Sequence, residues 1–138
     1  MQKVIVTGGA GFIGSNLVDR LIDMGISVTV IDDLSTGKKE NINPKAEFYE
    51  CSLIDLNDLN SKTIFNDVDV VFHLAALARV QPSIEDPISF NKINVDGTVK
   101  VLYYANKAGV KRVVYSASSS CYGDATIFPT PETHSTSS

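Results

Sequence analysis

The segment TGGAGFIG at residues 7–14 constrains the fold more than any other part of the chain. It directly follows the apolar run at 4–6 and opens a helical pattern of apolar residues at 12, 13, 17 and 21. A strand, a glycine turn and a helix in that order are typical of a dinucleotide site, because the helix N-terminus offers free N–H groups and partial positive charge to a pyrophosphate. We expect Gly8 to adopt the positive φ of the turn, Gly11 to let a pyrophosphate approach the backbone, and Gly14 to let the helix pack closely on the strand.

An acidic residue ends the next apolar strand. Asp32 follows the run at 27–31, about 20 residues past the glycine turn, where a carboxylate can accept hydrogen bonds from the ribose of adenosine. A glycine turn also occurs at purely structural corners, and an aspartate at a strand end is often simply solvated. The spacing of the two features favours dinucleotide binding over that alternative.

Strand and helix signals alternate along the chain. We predict strands at 4–7, 27–31, 47–50, 69–74 and 112–117, and helices at 12–24, 56–65 and 87–108. Because alternating strands and helices require right-handed crossovers, the sheet should be parallel and open. The predicted fold is a doubly wound α/β (Rossmann) domain with strand order 3-2-1-4-5 and a ligand across the carboxyl ends of strands one and four.

Composition and charge exclude several classes of function. The 138 residues are 43% hydrophobic and carry a formal net charge of -4, which argues against a disordered chain, and no basic stripe is available to bind nucleic acid. No apolar stretch approaches the length of a membrane span, and the first apolar run is too short for a signal peptide. We therefore expect one cytoplasmic domain with neither a nucleic-acid nor a membrane partner.

Two cysteines and a histidine have the chemistry of metal ligands or nucleophiles. Cys51 and Cys121 lack metal-ligand spacing and lie in or beside predicted strands, so we predict small buried thiols and no metal site. His73 ends a buried strand, which predicts a hydrogen-bonded structural imidazole rather than a catalytic base.

Seven motifs in this order resemble those of the extended short-chain dehydrogenase/reductases, in the NAD-dependent epimerase/dehydratase family. They are TGGAGFIG at 7–14, DDLSTG at 32–37, HLAA at 73–76, SIEDP at 83–87, NVDGT at 94–98, AGVKR at 108–112 and SASSSCYGD at 116–124. The chain is similar to the N-terminal portion of these enzymes, and among them it resembles the UDP-glucose 4-epimerases. Residues 1–124 correspond to a partial NAD-binding domain, and 125–138 to a polar tail that leads toward a catalytic segment.

The resemblance implies which residues contact NAD. Asp32 would bind the adenosine ribose and repel a 2'-phosphate, which favours NAD over NADP. The implied contact residues are Gly8, Gly11, Phe12, Ile13, Gly14, Asp32, Asp33, Ser35, Thr36, Gly37, Ser52, Leu53, Leu74, Ala75, Ala76 and Asn94. Ser52 replaces the acidic residue that usually accepts from the adenine amino group, so adenine recognition should be weaker. Asn94 orients a helix or a water near the site, or has a plain helix-packing role.

The resemblance also implies hydride transfer on a nucleotide sugar, with a UDP-sugar as the expected substrate and a homodimer as the full-length assembly. Ser118 matches the family's catalytic Ser or Thr, whose hydroxyl binds the sugar oxygen while a Tyr phenolate, activated by a Lys, removes the proton. That Tyr-x-x-x-Lys pair is expected beyond residue 138, so the chain alone should be inactive.

Three alternatives remain open at the level of the sequence. The protein acts as an epimerase, as a dehydratase or reductase of the same family, or as a non-catalytic NAD-binding module. The literal Tyr-x-x-x-Lys at Tyr103–Lys107 precedes Ser118, and its spacing predicts two side chains stacked on one helix face. Arg79 either meets a sugar diphosphate or carboxylate, or is a solvated loop residue.

Overall fold

A computed structural model describes residues 2–136 and contains one parallel β-sheet. The strands are β1 (Lys3–Thr7), β2 (Ser27–Asp32), β3 (Glu47–Glu50), β4 (Val70–His73) and β5 (Arg112–Tyr115). They lie in the order β3-β2-β1-β4-β5, and Val6 of β1 pairs with Val30 on one side and Phe72 on the other. The predicted strand order and parallel sheet are confirmed.

Helices connect the strands. They are α1 (Phe12–Asp23), α2 (Asn60–Ile64), α3 (Val80–Glu85), α4 (Pro87–Asn91) and α5 (Thr98–Lys107). A π-helical segment, Lys92–Gly97, joins α4 to α5, so the predicted helix at 87–108 is confirmed with one wide turn inside it. Short 3₁₀ turns cover Lys39–Asn41, Leu53–Asp55 and Ser119–Tyr122.

The structure differs from the predicted helices in two places. The helix expected at 56–65 shortens to α2, because the Asn57 carboxamide oxygen accepts from the N–H groups of Leu59 (2.9 Å) and Asn60 (3.2 Å) and holds a turn there. Helix α3 was not predicted. Pro82 lies in the first turn of α3, where its missing N–H costs no helical hydrogen bond.

Apolar side chains cover both faces of the sheet. Alternate residues of each strand point to opposite faces, so Val4 and Val6 of β1 belong to one core cluster and Ile5 to the other. Under α1 the buried residues are Val4, Val6, Val18, Leu21, Val28 and Val30. On the opposite face, Val101 and Ala105 of α5 pack with Ile5, Ile31 and Val71.

The two cysteines are free thiols, and the prediction that both are buried is wrong for Cys121. Cys51 is half-buried after β3, whereas Cys121 is exposed because β5 ends at Tyr115 and the chain then forms a surface 3₁₀ turn. Within residues 2–136, no cluster of three or more His, Cys, Asp or Glu side chains has a metal-binding arrangement. No helix in that range is both long and apolar enough to cross a membrane.

Candidate dinucleotide site

The glycine turn after β1 needs glycine at two positions for different reasons. Gly8 has φ +73°, and a Cβ there would lie 2.8 Å from the backbone nitrogen of Ala75. A Cβ at Gly14 would overlap the carbonyl oxygen of Gly8. The positive φ predicted for Gly8 is therefore confirmed, while Gly14 lets α1 pack on the turn itself rather than on the strand.

The N-terminus of α1 is open. Its N-cap is Gly11, which has no side chain to accept from the first turn, and the first turn contains no acidic residue. Among the described residues, no side chain accepts from the N–H groups of Phe12, Ile13 or Gly14. A Cβ at Gly11 would meet only the carbonyl oxygen of Gly8, at 3.3 Å. Free donors beside open space form an anion site that suits a phosphate group.

The Asp32 carboxylate holds the glycine turn in place. Its Oδ2 accepts from the N–H of Ala10 at 2.9 Å, and its Oδ1 accepts from the N–H of Leu34 at 2.9 Å. The carbonyl oxygen of Ala10 in turn accepts from the N–H of Lys38 (3.2 Å) and from Nδ2 of Asn41 (3.0 Å). The loop after β2 and the glycine turn thus form one hydrogen-bonded unit. Each Asp32 oxygen retains a lone pair for a further donor.

A cavity of about 400 Å³ lies at the carboxyl edge of the sheet. Residues that end or follow each of the five strands line it, as the fold predicts. The predicted contact residues in its lining are Gly8, Gly11, Phe12, Ile13, Gly14, Asp32, Asp33, Ser35, Thr36, Ser52, Leu53, Leu74, Ala75 and Ala76.

Three predicted site residues lie outside this lining. Gly37 packs closely against Ala10. A Cβ added to Gly37 would lie only 2.7 Å from the Cβ of Ala10. Asn94 bonds the backbone of Leu77, with its Oδ1 accepting from the N–H at 2.8 Å and its Nδ2 donating to the carbonyl at 2.9 Å. Ser118 is exposed, and its hydroxyl accepts from the N–H of Ser120 at 3.1 Å.

Sequence reasoning missed part of the lining. The additional residues are Ile31, Cys51, Leu77, Ala78, Ile93 and Ser116. Cys51 and Ser116 each directly follow a strand, which is the signal that would have identified them. Burial, and then the carboxylates of Asp55 and Asp33, raise the pKa of the Cys51 thiol, which keeps it neutral beside the cavity.

His73 is a buried hydrogen-bonded imidazole, as predicted. Its Nδ1 lies 2.7 Å from Oγ1 of Thr7, and its Nε2 lies 2.9 Å from Oγ1 of Thr98. Burial lowers the pKa of His73 below its ordinary value of 6.5, and the ring stacks on Tyr115. A neutral ring with both nitrogens engaged has no free position for proton transfer to a ligand.

The Tyr103–Lys107 pair lies on the surface of α5, away from the cavity. Lys107 Nζ is 2.7 Å from Oδ1 of Asp58 and 5.6 Å from the centre of the Tyr103 ring. The hydrogen bond to Asp58 raises the pKa of Lys107, so the amine stays charged and engaged. Arg79 is also exposed outside the cavity, with φ +88° at the start of α3.

A parallel sheet in this order, with an open helix N-terminus and an acidic residue at the end of β2, defines a nucleotide-binding Rossmann domain. The sequence profile of the NAD dependent epimerase/dehydratase family matches residues 4–138, and the chain belongs to this family. The prediction of NAD as the cofactor is confirmed at the level of the family.

The chain is similar to several UDP-glucose 4-epimerases. It is 44% identical over 132 residues to a putative UDP-glucose 4-epimerase of Methanocaldococcus jannaschii. The aligned region covers 95% of this chain and 43% of that protein. The crystal structure of the Thermotoga maritima UDP-glucose 4-epimerase with UDP-glucose has a TM-score of 0.88 and 43% identity, over 99% of this chain and 45% of that one. The Thermus thermophilus UDP-glucose 4-epimerase complex with NAD has a TM-score of 0.87 and 33% identity, over 99% and 44%. The chain thus spans less than half the length of these relatives.

Proposed function

We propose that this chain forms the NAD-binding part of a cytoplasmic nucleotide-sugar epimerase of the UDP-glucose 4-epimerase type. The observation that carries the proposal is the open N-terminus of α1, which faces a cavity that the Asp32 carboxylate also lines. Bound there, NAD supplies the hydride acceptor and donor for oxidation and reduction of a sugar carbon.

Four groups of residues would hold the cofactor. The N–H groups of Phe12, Ile13 and Gly14 would donate to the pyrophosphate, with the partial positive charge of α1 behind them. The free lone pairs of Asp32 would accept from the adenosine ribose. Leu74 and the small side chains of Ala75 and Ala76 would lie beneath the cofactor, and the two alanines support close approach of its nicotinamide half to β4. The remaining predicted contacts, at Asp33, Ser35, Thr36, Ser52 and Leu53, would surround the adenosine.

The turn after β5 would supply this chain's contact with the reacting part of the substrate. Ser118 caps the 3₁₀ turn there, two residues beyond Ser116 in the cavity lining. We propose that the Ser118 hydroxyl donates a hydrogen bond to the reacting sugar oxygen. A serine hydroxyl has too high a pKa to remove that proton at neutral pH, and the Tyr103–Lys107 pair lies elsewhere. A base from outside the chain would therefore complete the site.

A dehydratase or reductase of the same family is the second candidate, because the family name itself includes dehydratases. A non-catalytic NAD-binding module is the third. A protein that contains this chain should interconvert UDP-glucose and UDP-galactose if the epimerase proposal holds. Loss of water from the sugar would favour a dehydratase, and tight NAD binding without any turnover would favour the module.

Gly11→Val tests the cofactor site directly. The new side chain would enter the space before the free N–H groups of α1, so we expect NAD affinity measured by calorimetric titration to fall at least tenfold. Asp23→Val adds the same side chain at the exposed far end of α1 and should leave affinity unchanged. Equal NAD affinity in Gly11→Val and the unmodified protein, at unchanged thermal stability, would remove the basis of the proposal.

A further inference from the structure

A chain of hydrogen bonds runs from the π-helical segment to the floor of the cavity. It links the carbonyl oxygen of Asn94 to Thr98 Oγ1 (2.7 Å), Thr98 Oγ1 to His73 Nε2 (2.9 Å), and His73 Nδ1 to Thr7 Oγ1 (2.7 Å). Thr7 Oγ1 then lies 3.2 Å from the backbone nitrogens of both Leu74 and Ala75. Thr7 and His73 are fully buried, so water does not compete for these groups.

The donors along this chain have only one consistent order. A carbonyl oxygen only accepts, so the single hydroxyl hydrogen of Thr98 points to Asn94. Thr98 Oγ1 must then accept from His73, which places the ring hydrogen on Nε2. In a neutral imidazole the other nitrogen is an acceptor, so Thr7 donates its hydroxyl hydrogen to Nδ1. The lone pairs of Thr7 Oγ1 are left for the two N–H groups of the loop.

The series of hydrogen bonds ends, at Thr7 and the loop after β4, beside the cofactor cavity. Leu74 and Ala75 both line it. The N–H of Leu74 is shared with the carbonyl oxygen of Thr7 at 3.2 Å, whereas Thr7 Oγ1 is the acceptor for the N–H of Ala75. The backbone of Ala75 also lies directly against Gly8, where even a Cβ would be too close. A shift of this peptide would therefore change the gap between the glycine turn and the loop after β4.

We infer that His73 is a positioning residue for the NAD site, held as the Nε2–H tautomer by Thr98 so that Thr7 fixes the Ala75 peptide against the glycine turn. Only the expected effect on NAD binding rests on the proposed function. The tautomer of His73 and the hydrogen bond to Ala75 do not depend on it. The opposite tautomer would place a hydrogen on Nδ1 facing Thr7. Thr7 Oγ1 would then receive three donors and its own hydrogen would lose its acceptor, which loosens the hold on Ala75.

Thr98 is the position at which to test these hydrogen bonds, because it does not line the cavity. Thr98→Val removes the acceptor for Nε2–H at similar side-chain volume, and Thr98→Ser retains it. Three readouts apply to each protein: the nitrogen-15 resonances of the His73 ring, the exchange rate of the Ala75 amide hydrogen, and the NAD dissociation constant. His134→Asn removes the chain's other histidine signal.

We expect the unmodified protein and Thr98→Ser to show a protonated Nε2 and an unprotonated Nδ1. Thr98→Val should move the hydrogen to Nδ1, accelerate Ala75 exchange relative to the core amide of Val6, and weaken NAD about tenfold, the usual scale for a lost buried hydrogen bond. A protonated Nδ1 in the unmodified protein overturns the inference. So does a Thr98→Val protein that loses stability while the Ala75 exchange rate stays unchanged. Failure of the unmodified protein to bind NAD would overturn the proposed function instead, and the ring and amide readouts would still decide the inference.

Discussion

Asp32 has two roles at one carboxylate. It accepts from the N–H of Ala10 in the glycine turn and from the N–H of Leu34 in the following loop, and it presents its remaining lone pairs to the cavity. The local backbone thus uses the acidic side chain at this position, and we propose that a ribose does so as well. Neutralising Asp32 should therefore change the preference between NAD and NADP and also loosen the glycine turn.

Asp32→Asn tests the ribose role. We expect NAD binding to weaken by about 1.5 to 3 kcal/mol, the range for a hydrogen bond to a charged group, and NADP to bind no worse, because the charge that repels its 2'-phosphate is gone. Calorimetric titration with both dinucleotides measures the change, and Asp23→Asn at the exposed end of α1 controls for net charge. Equal affinity of the unmodified protein for NAD and NADP would contradict the assignment.

At the scale of secondary-structure elements, Asp69 joins three strands at the amino edge of the sheet. Its carboxylate accepts from the backbone N–H of Lys3 at 3.2 Å and from Nζ of Lys111 at 2.5 Å. These two residues begin β1 and precede β5, so one side chain connects strands on either side of β4. The hydrogen bond from Lys111 lowers the pKa of Asp69 below its ordinary value of 3.8, and the hydrogen bond from the N–H of Lys3 lowers that pKa further.

This pKa shift predicts the sign of a pH effect. Because the folded pKa lies below the unfolded value of 3.8, the stabilisation by Asp69 is present above about pH 4 and is lost as pH falls through the folded pKa. Asp69→Asn should therefore lower the free energy of unfolding at pH 7 and reduce its dependence on pH below 4. Urea unfolding at several pH values measures both effects. An unchanged acid limb in the variant would show that another carboxylate is responsible.

At the scale of the whole molecule, α5 and the π-helical segment expose an apolar face. Val95, Val99, Leu102 and Tyr103 keep 51%, 59%, 46% and 55% of their surface exposed. Val114 and Tyr115 on the outer edge of β5 are also uncovered. A monomer rarely leaves such a surface in water, and an unpaired edge strand invites further pairing.

We expect the chain to self-associate through this face. Leu102→Glu should shift the mass measured by light scattering toward the monomer, because it places a charge at the centre of the face. Met24→Glu, at an exposed apolar residue near the end of α1, is the control and should leave the mass unchanged. A monodisperse and thermally stable monomer in the unmodified chain would contradict the expectation.

The isolated chain should have no measurable epimerase turnover. Within residues 2–136 no tyrosine and lysine lie together at the cavity, and a positioned general base contributes about 10² to 10⁴-fold to such reactions. A longer protein with this chain at its N-terminus should turn over UDP-glucose, and Ser118→Ala should lower kcat sharply there. Turnover by the isolated chain that Tyr103→Phe abolishes would instead identify the pair on α5 as catalytic.

Local sequence patterns predicted the parts of this protein that depend on neighbours in the chain. The glycine turn, the acid at the end of β2 and the strand order follow from short motifs and from the alternation of strands and helices. These three features depend only on the conformations of a few adjacent residues and on the right-handed crossover. Most of the cavity lining was implied instead by the resemblance to the family.

Tertiary contacts decided the rest, because they join residues that no local pattern relates. Thr7 and His73 are 66 positions apart, and Thr98 lies 25 beyond His73. The hydrogen bonds among them exist only because β1 and β4 are adjacent and the start of α5 lies against β4. The same holds for the bond between Asp32 and Ala10, and for Asn94, which contacts Leu77 rather than the cavity. The sequence by itself determined the kind of fold and the edge of the sheet where the candidate dinucleotide site lies. The tertiary structure decided which polar groups hold that edge rigid, since buried donors and acceptors must find partners wherever the folded chain places them.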